Sequence, residues 1–200
     1  MVDVAASIMA AGLSTRFKAD KLEAGLGGKP VISWVLEAVE EAGITRRSAV
    51  VRRGRLVDLC SRMGFEVLIN ERPEEGLSSS IRIAAKWLPS GFDGLLILLG
   101  DQPLVSPYTI REIIKEFSKG SGFIVSASID DNPVNPVVFH RSLVGELMKL
   151  RGDVGAKSII LRHLDLVKKI PVDRRELLDI DTLDSLRLAE RYVRELGRLK

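Results

Sequence analysis

Short apolar runs alternate along the chain with segments whose apolar residues recur at helical spacing. Strands are predicted where an apolar run ends in turn residues. These runs are residues 4–11, 48–52, 65–69, 94–100, 123–129, 134–139 and 166–172. Helices are predicted where apolar positions lie three or four residues apart. These segments are residues 30–42, 57–63, 78–88, 107–117, 143–150, 156–163 and 183–196.

The order of these elements predicts an α/β fold. Strands that alternate with helices form βαβ units, which build a mostly parallel sheet with helices on both faces. The run Gly94–Gly100 is the most hydrophobic strand candidate and suits a strand that is covered on both faces. The two strands joined by DDNPVNP interrupt the alternation, so we expect an antiparallel strand there. The last helix is predicted to bury Leu183, Leu186, Ala189, Val193 and Leu196.

Length and composition restrict the class of protein. A chain of 200 residues with 46% hydrophobic and 28% charged residues fits one globular domain. The net charge of +3 indicates neither a nucleic-acid-binding tail nor a polybasic membrane anchor. No signal peptide or membrane-length apolar run is present, and the single Cys60 cannot form an internal disulfide. We therefore expect a cytoplasmic protein that binds neither nucleic acid nor membranes.

The segment after the first strand has the composition of an anion-binding loop. Ligands of open α/β sheets bind at the carboxyl ends of the strands. Small residues around Gly12 let backbone N–H groups approach an anion, and Arg16 and Lys21 add charged donors. The glycine spacing matches neither the Walker A loop nor the dinucleotide fingerprint. The alternative interpretation is a surface loop with solvated basic side chains.

One aspartate is a candidate metal ligand by its position. Asp101 directly follows the buried strand, at the edge of the sheet where the loop is expected. Magnesium binds one or two carboxylates together with phosphate oxygens and water, although a carboxylate of a turn is the alternative. Asp181 precedes the last helix, where aspartate is a favoured N-cap and could serve that purpose alone.

Several short motifs occur in order along nearly the whole chain. They are AAGLSTRF at 10–17, DKL at 20–22, GLSSS at 76–80, LGDQP at 99–103, NPVVF at 135–139, GDVGAK at 152–157 and DIDT at 179–182. Together they resemble the molybdenum cofactor cytidylyltransferases, within the MobA-like nucleotidyltransferase family. The chain departs from the family pattern at Lys18 and Leu183, where glycine and proline are usual.

The resemblance implies a Rossmann-like three-layer sandwich similar to that of nucleotide-diphospho-sugar transferases. It implies one domain over residues 1–200, with the nucleotide in the first half and the acceptor in the second. CTP would be the nucleotide, Mg²⁺ the cofactor, molybdopterin or molybdenum cofactor the acceptor, and a molybdoenzyme the recipient. One alternative is a related enzyme that uses GTP or another acceptor, such as a sugar phosphate or cobinamide phosphate. The other is a nucleotide-binding domain without turnover.

The resemblance also implies roles for individual residues. The catalytic residues would be Arg16, Lys21 and Asp101, and the metal ligands Asp101 and Asp181. The nucleotide would contact Ala10, Ala11, Gly12, Leu13, Arg16, Lys21, Gly76, Ser79 and Ser80. The acceptor would contact Asn135 and Asp153. Structural alternatives exist, because the serines of GLSSS and Asp153 could also cap helices.

Overall fold

The computed structural model describes residues 2–13, 17, 20–153, 155–195 and 197. The strands are β1 Val4–Ala10, β2 Gly25–Leu26, β3 Lys29–Pro30, β4 Arg47–Val51, β5 Glu66–Ile69, β6 Gly94–Leu99, β7 Ile124–Ile129, β8 Asn132–His140 and β9 Val167–Pro171. Seven of them form one mixed sheet in the order β5-β4-β1-β6-β8-β7-β9, and β2 pairs with β3 in a small hairpin.

Helices cover both faces of the sheet. They are α1 Val31–Glu41, α2 Arg55–Arg62, α3 Leu77–Trp87, α4 Pro107–Ser118, α5 Val144–Leu147, α6 Lys157–Arg162 and α7 Leu183–Glu195. Side chains of β1 alternate between two hydrophobic cores, with Ala6 and Ile8 on one face and Ala5 and Met9 on the other. The first core contains α1, α2, α4 and α7, and the second contains α3, α5 and α6. The predicted α/β fold with two helical layers is confirmed.

Strand direction brings two parts of the predicted site to the same edge. β1 runs parallel to its neighbours β4 and β6, so the carboxyl ends of all three lie together. The described segment after β1, residues 11–13, therefore lines the same cavity as Asp101, which follows β6. β8 is antiparallel to both β6 and β7, which confirms the antiparallel strand expected in the second half.

The observed elements differ from the predicted ones in a few places. The hairpin of β2 and β3 was not predicted, because strands of two residues leave no measurable periodicity. The inward position predicted for Leu183 is wrong, since this residue is 60% exposed while Ala189 and Val193 are fully buried. Helical side chains point toward the helix N-terminus, so the side chain of the first residue of α7 projects beyond the packed turns. Leu196 lies outside the described residues.

Cys60 is fully buried on α2, and this burial raises the pKa of its thiol to about 11. Such a thiol packs as a small apolar side chain. In the part of the chain that the structure describes, no helix is long and apolar enough to cross a membrane.

Gly94 begins β6 beneath the ring of Phe117. A β-carbon at position 94 would lie 2.7 Å from Phe117 Cε1 and 3.2 Å from Val138 Cγ1. We expect Gly94→Ala to lower the free energy of unfolding by about 1–3 kcal/mol, the usual cost of overpacking a core. Chemical denaturation monitored by circular dichroism measures this change.

Gly145 provides the matched control. It lies in α5, and a β-carbon there would meet nothing within 4 Å. Gly145→Ala should leave the stability unchanged or raise it slightly, because alanine favours the helix. Equal losses in the two variants would contradict the packing argument.

Candidate active site

A cavity of about 410 Å³ opens at the carboxyl ends of β1 and β6. One wall is formed by Met9 and the residues that follow it up to Leu13. The segment from Pro73 to Ser80 contributes the opposite wall, and Leu99 and Asp101 contribute the end of β6. A mainly apolar concave site with a few convergent polar groups is typical of a small-molecule site.

The structure brings most of the predicted site residues to this cavity. They are Ala10, Ala11, Gly12, Leu13, Lys21, Gly76, Ser80, Asp101 and Asp153. Ser79 is buried beside the cavity and lines a neighbouring groove. Asn135 lines a second cavity, described below. Arg16 lies outside the described residues.

The charged centre of the site is a lysine held between two carboxylates. Lys21 Nζ donates to Asp101 Oδ2 and to Asp181 Oδ1, at 2.6 Å in each case. The side chains of Lys21 and Asp101 are only 14% and 21% exposed, and that of Asp181 is 46% exposed. Because both contacts share one nitrogen, the two carboxylates face a common point.

A rigid turn fixes the backbone of Lys21. Asp20 Oδ1 accepts a hydrogen bond from the N–H of Leu22, and Asp20 Oδ2 pairs with Arg52 at the end of β4. Leu22 is buried, and its carbonyl accepts a hydrogen bond from the N–H of Ile32 in α1. The DKL motif therefore anchors the turn on both sides of Lys21 and directs the lysine toward β6.

Asp181 approaches the cavity because another residue caps α7. Thr182 Oγ1 accepts a hydrogen bond from the N–H of Ser185, and Ser185 Oγ accepts from the N–H of Asp181 and of Thr182. The capping role considered for Asp181 therefore belongs to Thr182, while the Asp181 carboxylate contacts Lys21. The N–H of Ile180 donates to the carbonyl of Asp101, which joins the two aspartate segments.

Burial and neighbouring charges shift the pKa values of Lys21 and Asp179. Burial alone would lower the pKa of Lys21, but its hydrogen bonds to, and charge attraction by, Asp101 and Asp181 raise it above the ordinary 10.5. Asp179 is exposed on one side, yet the packing around its carboxyl group and the negative charge of Asp101 raise its pKa to about 6. Gln102 Nε2 donates to Asp179 Oδ1 at 3.0 Å.

The two carboxylates fit a magnesium ion whose remaining ligands come from water and from a bound substrate. Two carboxylates converge where the Lys21 ammonium now lies, so the point already holds a positive charge. Within the described residues, no group of three or more His, Cys, Asp or Glu residues could hold a metal by itself. Mg²⁺ prefers one or two carboxylates completed by water and phosphate oxygens, which is what this pair could supply.

A close backbone contact closes one side of the cavity. Gly76 has φ +83°, and a β-carbon there would lie 2.1 Å from Asp153 Oδ1. The N–H of Ser78 donates to the carbonyl of Gly152 at 3.2 Å. The GLSSS and GDVGAK motifs thus meet at this glycine. Neither proposed capping role is observed, since α3 and α6 follow Gly76 and Ala156 with no side-chain cap.

A model of a known protein family matches most of this chain. The MobA-like NTP transferase domain matches residues 6–167. The chain belongs to this family.

Similar proteins include both curated sequences and solved structures. The bifunctional protein GlmU of Caldanaerobacter subterraneus subsp. tengcongensis is 32% identical over 160 residues, which cover 75% of this chain and 33% of that protein. Rv0371c from Mycobacterium tuberculosis H37Rv is 27% identical, with a TM-score of 0.81 and coverage of 95% of this chain and 98% of that one. Its structure in complex with manganese gives 25% identity and a TM-score of 0.77, with the same coverage of both chains. The chain thus spans about a third of the length of the curated relative it matches.

A second cavity of about 310 Å³ adjoins the first in this NTP transferase domain. Leu77 and Leu99 line both cavities and separate them. The floor of the second is largely apolar, and its polar lining comprises Gln102, Asn135, Lys157 and Asp179. A ligand in one cavity would therefore lie next to a ligand in the other.

Asn70 is a structural residue of the site that the sequence reasoning missed. Its side-chain amide donates to Ser79 Oγ at 2.7 Å and to Ser80 Oγ at 3.0 Å, while its Oδ1 accepts from the N–H of Arg72. Asn70 follows β5 and is 3% exposed. It fixes the wall of the first cavity between residues 70 and 80. Its position at a strand end was the available signal, but its partners are defined only by the fold.

We expect Asn70→Ala to lower the free energy of unfolding by about 1–3 kcal/mol. The substitution removes the donor from both buried hydroxyls; Ser79 Oγ still donates to the carbonyl of Gly76, but Ser80 Oγ loses its hydrogen bond to Asn70. An unsatisfied buried group costs about that much. Chemical denaturation measures the loss.

Asn132→Ala is the control for loss of an asparagine hydrogen bond. Asn132 is exposed, and in the part of the chain that the structure describes its side-chain amide donates to the carbonyl of Asp130 in the β7–β8 turn. Its replacement should change stability by less than about 0.5 kcal/mol. A loss at position 70 no larger than this would contradict the role assigned to Asn70.

Proposed function

We propose that the chain is a metal-dependent nucleotidyltransferase that transfers CMP from CTP to the terminal phosphate of molybdopterin or the molybdenum cofactor. The observation that carries the proposal is the contact of Lys21 Nζ with Asp101 and Asp181, at 2.6 Å each. This cluster borders the cavity beside the small residues 10–13. A cation, paired carboxylates and a backbone turn suit a triphosphate with its metal.

The triphosphate would lie along the turn after β1. Backbone N–H groups of Ala11, Gly12 and Leu13 would donate to its oxygens, and a glycine with open space on its side allows close approach. Lys21 would pair with the phosphates that leave as pyrophosphate. Arg16, outside the described residues, is proposed to neutralise the same charge.

Asp101 and Asp181 would hold the Mg²⁺ ion through carboxylate oxygens. When bound, the ion neutralises charge on the phosphates and helps to align them for displacement. The similar protein Rv0371c has a crystal structure in complex with manganese, which supports a divalent ion in the proposed site.

The proposed reaction needs no proton transfer by the protein. An oxygen of the acceptor's terminal phosphate bonds to the α-phosphorus while the bond from that phosphorus to the α–β bridging oxygen breaks. The electron pair of the broken bond leaves with pyrophosphate. Because the attacking oxygen is already anionic near neutral pH, no general base is required. Lys21 would stabilise the charge that develops on the leaving group, so catalysis consists of alignment and charge neutralisation.

We assign the acceptor to the second cavity and treat residues 1–200 as one nucleotidyltransferase domain. The first cavity is built mainly from the first half of the chain, and Asn135 of the second half lines the adjoining cavity. Asp153 reaches the nucleotide cavity beside Gly76, where it could contact either substrate. A molybdoenzyme would receive the product.

A second candidate is a related nucleotidyltransferase that uses GTP or another acceptor, such as a sugar phosphate or cobinamide phosphate. The sequence likeness to a bifunctional GlmU protein over 75% of this chain favours this broader class. The hydroxyl groups of Ser79 and Ser80 do not by themselves distinguish cytosine from guanine.

Asp101→Asn should lower turnover about 100-fold or more while the fold is retained. The amide no longer supplies the negative charge that a divalent ion and Lys21 require. Removal of one such electrostatic group typically lowers kcat by about 100-fold or more. The measurement is pyrophosphate release with CTP, molybdopterin and Mg²⁺, with circular dichroism as the test of folding.

Asp184→Asn is the matched control. The Asp184 side chain is 90% exposed and, among the described residues, pairs with Arg187 one helical turn away. The Asp184→Asn variant should release pyrophosphate at the same rate as the wild type. Near-normal pyrophosphate release by the Asp101 variant would exclude the proposed metal ligand.

A nucleotide and acceptor panel tests the choice of substrates. We expect CTP with molybdopterin to give the fastest pyrophosphate release. Faster release with GTP, or with a sugar phosphate or cobinamide phosphate, would select the second candidate. CTP that is bound but never consumed by any acceptor would contradict the assignment as an enzyme.

A further inference from the structure

The Lys21 ammonium occupies the point toward which both proposed metal ligands converge. Lys21 Nζ lies 2.6 Å from Asp101 Oδ2 and 2.6 Å from Asp181 Oδ1. We propose that Lys21 determines which form of metal the carboxylate pair accepts: it excludes the free divalent ion and admits a metal that arrives with a polyphosphate. This inference rests on the metal ligands assigned in the proposed function.

The charges of the cluster explain the exclusion. Without a ligand, one ammonium already offsets part of the charge of the two carboxylates, and Lys21 is only 14% exposed. A free ion bound beside the lysine would meet a like charge in a partly buried site, where water screens charges less than at the open surface. A free ion that displaced the lysine would leave its ammonium without the two partners that hold it.

A polyphosphate removes that cost. Lys21 lines the same cavity as the turn at residues 10–13, where the phosphates are proposed to bind. A metal–polyphosphate complex therefore brings new anionic partners for the ammonium together with the cation for Asp101 and Asp181. The carboxylates exchange a lysine for a metal, and the lysine exchanges carboxylates for phosphates.

Only the lysine side chain needs to move in this exchange. Its backbone turn is held by the hydrogen bond from Leu22 to Asp20 and by the pair of Asp20 with Arg52. The four-carbon stem of lysine ends in a compact charge that can rotate between neighbouring partners. The rigid turn and the flexible stem together make Lys21 suited to exchange partners within one cavity.

Manganese binding tests the proposal without catalysis, nucleoside or acceptor. Free Mn²⁺, followed by electron paramagnetic resonance, and preformed Mn²⁺–tripolyphosphate, followed by calorimetry, are titrated into the wild type, Lys21→Met and Lys21→Arg. The wild type should bind the complex at least about tenfold more tightly than free Mn²⁺. Lys21→Met should bind free Mn²⁺ at least about tenfold more tightly than the wild type does and bind the complex more weakly. Lys21→Arg keeps the charge and should still exclude the free ion.

Two controls separate the possible failures. Lys29→Met removes a lysine that contacts Glu37 and Trp34 instead of the carboxylate pair, and it should bind manganese like the wild type. Asp101→Asn should abolish binding of Mn²⁺ in the Lys21→Met background. If it does so, but Lys21→Met binds free Mn²⁺ no more tightly than the wild type, the exclusion by Lys21 is overturned and the metal site stands. If Asp101→Asn has no effect on manganese binding, the metal site and this inference both fail.

A wild type that binds free Mn²⁺ as tightly as the complex would overturn the proposal even if Lys21→Met did not fold. A gain of free-ion affinity in Lys21→Arg as large as that expected for Lys21→Met would also overturn it.

Discussion

One ammonium group held between two carboxylates joins the separate parts of this site. Lys21 belongs to the turn before β2, Asp101 to the end of β6 and Asp181 to the segment before α7. The two contacts bridge 80 and 160 positions along the chain, so they form only after the sheet is assembled. In a partly buried site each charge is costly without a partner, and the cluster therefore requires all three side chains.

Sheet topology makes that meeting possible. β1 and β6 are parallel neighbours, and their carboxyl ends place the turn at residues 10–13 next to Asp101. The chain then returns through the antiparallel strand β8, and the later helix α7 packs against the same side of the sheet as α1. The close contact at Gly76 and the amide of Asn70 fix the remaining wall. Open α/β sheets bind ligands at such an edge, where loops from several strands converge.

The sequence was enough to predict the helices and longer strands, whose apolar residues recur at regular spacing. It was also enough to predict candidate site residues that directly follow a strand. The turn after β1, Lys21 and Asp101 could be placed at one edge because parallel strands share a direction. Asp181 could not be assigned from the sequence, since a helix cap and a metal ligand both favour aspartate before a helix. In the structure the neighbouring Thr182 caps the helix, and the Asp181 carboxylate contacts Lys21 instead. Asn70 was missed because its serine partners are selected by tertiary packing, and local spacing does not encode that packing.

The most direct test is a crystal structure with Mn²⁺ and a CTP analogue whose α–β bridge cannot be cleaved. Anomalous scattering would locate the metal, and the electron density would locate the ammonium of Lys21. We predict a manganese ion bound by Asp101 and Asp181, with Lys21 turned from the carboxylates to the phosphates along residues 10–13. A metal and triphosphate bound away from this cluster would contradict the account, as would a lysine still lodged between the two carboxylates.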